Sequence, residues 1–557
     1  MYVLIVTSLF TLFIFYGFGH KIINILDETN SKSYNLFDKY YLGICIVGTI
    51  INLWSIFFPS NIVLTIILFI LSLFFLRNKI RLFNKYFIVI TNYLKENKIE
   101  VIYYFLITIL ILLISMTLPR LYDSYLYHIN AIQWNEKYRA IPGLANLHDR
   151  FGFNSSIFTL NAVFSYSAIY NQMLFIVNSL SYYVFLIWIV YSIFQHRNFI
   201  SFISILFIYI FTEQYLLDIS SPGTDILINI FISYIGFTFL YNEKSFLNKK
   251  LIFIILPFFG ITLKVTVLPL ILISFYILFA NKKSLLVSLK EIILIGLLFI
   301  FPWIVRNIIL SGYILFPFEK LDLFSFDWKV PNDRVIETKN WIYSWARIPY
   351  RDQKEVLNLT FKEWFNVWWN ATILKNKIFL VLSLISPFII AYDIFKNKNW
   401  NKLVIIISIY LSLFLWLFTA PDFRFIFSVL LILIIFSITS IYFNLNYNYN
   451  FKKSILTLFL GLFVLYFYKN SLILFNEDYK NNFLIDYIYL PEDSYYIKKE
   501  KRIHFTIKEL KYKNHIIEVF EANPKHSQCY DQFPCSPNID GKLKLRGGEI
   551  ETGFKIN

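Results

Sequence analysis

Charge is scarce in this chain. Only 16% of its 557 residues are charged, against about 25% in an ordinary soluble domain, and that excludes a soluble enzyme with a conventional water-facing surface. No GxxxxGKS or GxxxxGKT is present, so ATP-driven transport would need a partner. HExxH and GxSxG are also missing, which removes the common metalloprotease and hydrolase readings. No internal repeat is found. The first apolar run, from Tyr2 to Phe18, lacks a basic leading region and a small-residue cleavage site. It reads as a retained helix rather than a signal peptide.

What the chain has instead is apolar sequence, 57% of the residues, with 20% aromatic. It comes as separate runs of roughly 16–22 residues, the length a helix needs to cross a hydrocarbon core about 30 Å thick. The runs cover 2–19, 40–58, 61–76, 101–118, 173–194, 199–216, 225–241, 250–263, 265–280, 288–305, 377–394, 402–419, 424–443 and 454–468. The expectation is an all-α integral membrane protein with about fourteen transmembrane helices. The pair around 250–280 is interrupted at Pro257 and Gly260, which suits a broken or re-entrant element.

The net charge of +16 does not point to nucleic acid, because the basic residues sit in short connections between apolar runs. Five connections carry them: Arg77–Lys98, Lys244–Lys250, Lys282–Lys283, Lys396–Lys402 and Lys452–Lys453. With fourteen spans all five fall on one side, which the positive-inside rule makes cytoplasmic. The N-terminus then lies outside. So do two long loops, 119–172 and 306–376, two short connections, SSPGTD and APDFRF, and a C-terminal segment, 469–557, after a transmembrane domain of 1–468. Alternating stretches such as IHFTIKEL and HIIEVFEA make that segment a small strand-containing appendage. Cys45 lies inside a span as a packing residue. Cys529 and Cys535, in CYDQFPC, face an oxidising compartment and can close a small loop. A zinc site there would need further ligands, and His526 is the one near candidate, so the disulfide is the stronger reading.

The candidate chemistry gathers on the outer connections. Asp123 lies just beyond the fourth span, among Tyr122, Tyr125, Tyr127 and His128. At helical spacing Asp123 shares a face with Tyr127, and Ser124 shares the adjacent face with His128. A carboxylate and an imidazole on one turn can act as acid and base or bind a divalent cation. The plainer alternative is that Asp123 caps the following helix and the tyrosines form an interfacial belt. His148, Asp149 and Arg150 with Asn154 form a second group in the same loop. Asp218 and Asp225 stand at the outer ends of adjacent spans, Lys264 between two spans, Arg306 at the end of another, and Asp422 and Arg424 in APDFRF. Snorkelling accounts for any one basic residue alone. Ionisable groups converging near membrane depth more often mark function. Together they read as an anion site beside an acid site, suited to a lipid-linked phosphate. Trp341, Trp345, Trp364, Trp368 and Trp369 either stack on sugar rings or, for the last three especially, form an interfacial helix.

The segments YDSYLYHINAIQW, IPGLANLHDRFGFNSS, ISSPGTD, WIVRNIILSGYILFP, FDWKVP, WAR and APDFRF resemble a bacterial family of multi-pass membrane proteins without an assigned activity. The resemblance runs from about residue 101 to near the C-terminus, through CYDQFPC, LRGGEI and TGF. That family in turn resembles the GT-C class of glycosyltransferases, which take sugars from polyprenyl-phosphate carriers outside the cytoplasmic membrane. The likeness implies a lipid-linked sugar donor, a glycan acceptor and an inner-membrane location with the active face extracytoplasmic. Asp123 matches the acid of the first outer loop in that class. Many members have DD or DE there and this chain has DS, which favours a general base over a metal ligand. On this reading Asp123 is the base with His128 beside it, and Lys264, Arg306 and Arg424 bind phosphate. His148, Asp149, Arg150, Asp225 and Asp422 complete the substrate site. A polysaccharide polymerase or ligase, and a transporter of lipid-linked glycan, are the alternatives.

Overall fold

The computed structural model describes residues 2–80, 91–280, 285–445, 451–472, 505–523, 528–530 and 532–556. His526 lies outside them. All fourteen apolar runs lie on helices, but not all of those helices are long enough to cross a membrane. Among the described residues nine helices have the length and apolarity to cross: Tyr2–Leu26, Leu36–Trp54, Ile62–Lys79, Lys98–Ser115, Ile176–His196, Phe199–Asp218, Leu374–Asn397, Trp400–Thr419 and Phe427–Asn444. A tenth arises if Leu285–Phe299 and Phe301–Ser311, bent by 43° at Ile300, act as one span. The chain is a multi-pass helical membrane protein.

Three runs instead form shorter helices, Asp225–Tyr241, Lys250–Leu263 and Val265–Ala280. The first two are buried along nearly their whole length. Their apolarity reflects a place inside the bundle, where other helices rather than lipid surround them. The interruption expected at Pro257 does not occur there. Helix Lys250–Leu263 runs through Pro257, although proline leaves the carbonyl four residues earlier without its donor. That carbonyl belongs to Phe253, and the Ser274 hydroxyl donates to it at 3.1 Å. The break falls at Lys264, whose backbone is extended (φ −157°, ψ 124°).

Contacts at the helix ends sort the connections into two sets. On one side Lys249 pairs with Asp38 at 2.7 Å, Lys250 with Asp27 at 3.2 Å and Lys453 with Glu100 at 3.6 Å. Asn399 donates to Glu243 on the same side. These are the basic connections. On the other side the Ser60 N–H donates to the Asn135 carbonyl, the Ala140 N–H to the Ser55 carbonyl, and Thr117 bonds Ser220. A reporter enzyme active only outside the cytoplasm should therefore work when fused after Phe425 or at the C-terminus, and fail after Lys250. Reversed signals would remove the outer-face site from consideration.

The C-terminal segment joins the second set. Strands Thr506–Tyr512 and His515–Glu521 form an antiparallel hairpin, with Cys535–Ser536 parallel to the latter. Leu543–Leu545 pairs antiparallel with Phe554–Ile556. Cys529 and Cys535 form a disulfide with 5.8 Å between α-carbons. The segment docks on the first long loop. The Cys529 N–H donates to the Tyr125 carbonyl at 2.9 Å, Phe554 N–H to the Pro142 carbonyl at 3.0 Å, and Phe533 meets Trp134 at 4.7 Å. Backbones approach so closely here that glycine is required. Gly143 has φ +68°, and a Cβ on it would stand 2.2 Å from the Phe554 carbonyl oxygen. Blocking free thiols without prior reduction should label neither Cys529 nor Cys535, and replacing either by Ser should cost about 2 kcal/mol of appendage stability through the lost loop closure. Labelling of the unreduced protein would contradict the pairing.

Candidate functional site

The site begins at an irregular turn. After Pro119 the chain is held by the SSPGTD connection, whose Ser221 hydroxyl accepts from the Arg120 N–H at 2.9 Å. Asn178 holds that connection in turn, donating to the Ser221 and Gly223 carbonyls. Residues Ser124–His128 then form a single π-turn, closed by the Ile129 N–H on the Ser124 carbonyl. A π-turn bonds residues five apart and brings them to one face. Here the bonded pair is Ser124 and Ile129, and His128 on the same turn acts electrostatically to lower the Asp123 carboxyl.

Asp123 does not cap the helix that follows: its backbone is helical and its side chain bonds no N–H there. One oxygen instead accepts from Arg150 Nη1 at 2.8 Å, and the other lies 3.8 Å from Arg424 Nη2. Arg424 reaches Asp422 at 2.9 Å and Asp225 at 3.9 Å. Lys264 bonds the Asp225 carboxylate and sits 3.2 Å from the centre of the Phe425 ring. Five segments, far apart in sequence, therefore meet in one cluster of three carboxylates and three cations. Asp123 is 24% exposed and Asp225 14%. The cluster is open at Asp123 and closed behind Asp225.

The turn carrying Arg424 is fixed through its carbonyls. Trp368 Nε1 donates to the Pro421 carbonyl at 2.9 Å and Trp416 Nε1 to the Asp422 carbonyl at 2.8 Å. Tyr215 donates its hydroxyl to the Arg424 carbonyl, as Asn229 does its amide. The sequence reading missed Trp416, Tyr215 and Asn229, and named Trp368 for a different role. Asn229, one helical turn beyond Asp225, is the only one with a local sequence signal. The interfacial expectation for Trp364 and Trp368 is corrected here: at 3% and 5% exposure they face protein, and Trp368 stacks on Phe423. The amphipathic helix Phe361–Ala371 turns Phe361 and Val367 outward instead.

Charge states follow from burial and neighbours. Burial pushes the Asp123 carboxyl up, but His128, Arg150 and Arg424 outweigh it and hold it below the usual range. Burial lowers His128 to about 4, against the pull of Asp123 and Asp225. Its Nδ1 is buried without a hydrogen-bond partner. Burial also depresses the Lys264 ammonium, with Asp225 opposing. For Arg424 burial is outweighed by Asp225, Asp422 and Asp123, which raise it. At neutral pH the cluster holds an ionised carboxylate, a neutral imidazole and fixed cations.

The other sequence candidates go elsewhere. Asp149 accepts from Arg334 at 3.1 Å and from Thr338 at 3.0 Å, both on helix Asn332–Arg347 of the second long loop. His148 lies 3.9 Å from Asp149. That pair ties the two outer loops together, while Arg150, the next residue, joins Asp123. Arg306 stands apart from the cluster, among Ser55, Asn135 and Asn154. Among the described residues no three His, Cys, Asp or Glu side chains are grouped to hold a metal ion.

Residues 1–431 match a protein family described as a domain of unknown function, DUF8201. The chain belongs to the DUF8201 family. The match takes in the first hundred residues and every member of the charged cluster, and it stops before the C-terminal appendage. No curated protein and no solved structure matches the chain.

Proposed function

We propose that this DUF8201 protein is a membrane glycosyltransferase, acting on the extracytoplasmic side of a bacterial inner membrane. It transfers a sugar from a polyprenyl-phosphate donor to a cell-surface glycan. The observation that carries the reading is the meeting of Asp123, Arg150, Asp225, Lys264 and Arg424, drawn from four connections, on the side opposite the basic loops. Arg424 is the fork for a phosphate and Lys264 the point charge behind it. In the transfer step an acceptor hydroxyl oxygen bonds to the anomeric carbon and the carbon–phosphate-oxygen bond breaks. The polyprenyl phosphate leaves with the electron pair, its charge met by Arg424 and Lys264. The hydroxyl proton passes to Asp123. On binding, the phosphate replaces a carboxylate as the partner of Arg424.

The charge states supply a test. A carboxyl held low is in its basic form above its own pKa and loses that form only as pH falls through it. His128, lowered to about 4, is neutral above that value. Transfer by the purified protein should then be flat between about pH 5 and 8. The first loss on the alkaline side should come from Lys264. Asp218, raised by burial to about 6 with Arg424 and Asp225 among its neighbours, also titrates in that range, so the limb near pH 6–7 that would contradict these roles is one that persists in Asp218→Asn.

A further inference from the structure

Arg306 poses a separate problem. Its side chain is 1% exposed. Nε donates to Asn154 Oδ1 at 3.0 Å, Nη1 to Ser55 Oγ at 2.5 Å and Nη2 to Asn135 Oδ1 at 2.7 Å. All three partners are neutral, and among the described residues Arg306 has no carboxylate partner. A guanidinium has five N–H groups, so two remain free of these bonds. Neutral acceptors satisfy hydrogen bonds but leave a buried charge uncompensated, which is strongly unfavourable.

Arg306 borders a cavity of about 20 Å³, whose lining includes a second arginine, Arg139, and no Asp or Glu. Trp134 also lines it, and its buried indole N–H has no hydrogen-bond partner. Two independent features, the residue with an uncompensated guanidinium and the one with an orphaned donor, thus line the same small space. A space of that size holds one small occupant, a water or a single monatomic ion. Phe153 and Phe158 also line the cavity, and Tyr127, from the turn that follows Asp123, meets their rings at 6.1 and 6.0 Å.

We propose that this cavity binds one small inorganic monoanion of halide size, chloride in the cell, as the counter-ion of Arg306. Its donors are the free guanidinium N–H groups and the Trp134 indole. The ion holds together the outer end of helix Leu36–Trp54, the helix Ile129–Lys137 and the extended segment at Asn154. It thereby fixes the loop carrying Asp123 and Arg150, whatever reaction that loop serves.

The test is thermal unfolding of the purified full chain in chloride, bromide or gluconate at equal ionic strength. The midpoint should rise with halide concentration, as linkage to a folded-state ligand requires, and should not rise with gluconate. Trp134→Phe keeps the ring and removes the donor. It should raise the half-saturating halide concentration about tenfold or more, the value of one hydrogen bond to a charged group. Arg306→Met should abolish the halide response. Should Arg306→Met fail to fold, the Trp134→Phe comparison and the anomalous signal of bromide beside Arg306 in crystals of the unaltered protein decide. Equal midpoints in chloride and gluconate, a response unchanged by Trp134→Phe, or bromide absent from the cavity would overturn the proposal and leave water as the occupant.

Discussion

Replacing Asp123 by Asn should lower glycan transfer by about 10²-fold or more while leaving the protein expressed and inserted. Asn has nearly the same size, and its oxygen can still accept the 2.8 Å bond from Arg150. What it loses is charge and basicity. The pair with Arg150 is 24% and 39% exposed, so its loss costs little stability, about 1 kcal/mol or less. A purely structural Asp123 would therefore tolerate Asn with activity almost unchanged. The measurement is glycan product in cells that depend on this chain, with protein level checked beside it. Full activity would take the base role from Asp123. His128, on the Asp123 turn and with its Nδ1 buried without a partner, would then be the first candidate, ahead of Asp149, which is held by Arg334 and Thr338, and of His148, which stands beside Asp149.

The second large effect is expected at Lys264. Lys264 and Asp225 are 15% and 14% exposed, so Lys264→Met strands a carboxylate whose next cation, Arg424, is 3.9 Å away. Breaking a buried pair from one side costs about 3–5 kcal/mol, and the thermal midpoint should fall accordingly. Adding Asp225→Asn removes the stranded charge, and the double variant should regain most of that stability. It should not regain transfer, because the phosphate still lacks its point charge, and the defect should appear as a raised KM for the lipid-linked donor. If Lys264 only neutralised Asp225, the double variant would recover activity together with stability. The two roles are thereby separated in one cycle.

The sequence was most informative about which residues avoid water and least about what they meet. Every apolar run is helical, yet hydropathy alone cannot distinguish a helix facing lipid from one enclosed by other helices. Asp225–Tyr241 and Lys250–Leu263 are of the second kind, two of the runs that fall outside the nine or ten helices of crossing length. Pro257 looked like a break because the hydroxyl of Ser274, supplied from the next helix, is invisible locally. In the site, Asp123, Arg150, Asp225, Lys264, Asp422 and Arg424 do gather. His148 and Asp149 diverge from Arg150 because the chain passes from an extended His148 into a 3₁₀ turn at Asp149, which aims neighbours at different loops. Arg306 meets Ser55, Asn135 and Asn154 instead. The π-turn at Ser124–His128 has no sequence period to betray it. The clamps on the Arg424 turn come from Trp368 and Tyr215, brought in by tertiary packing, and from Trp416 on the helix that leads into the turn.

The central claim is that this cluster moves a sugar off a lipid phosphate. Its most direct test uses the purified protein in liposomes, with a polyprenyl-phosphate sugar labelled in the sugar and an added envelope glycan. The account predicts that label leaves the lipid-extractable fraction, appears in the glycan and leaves free polyprenyl phosphate behind, and that the Asp123→Asn protein does none of this. Label that stays lipid-linked while crossing the bilayer would contradict the account and make the chain a carrier instead.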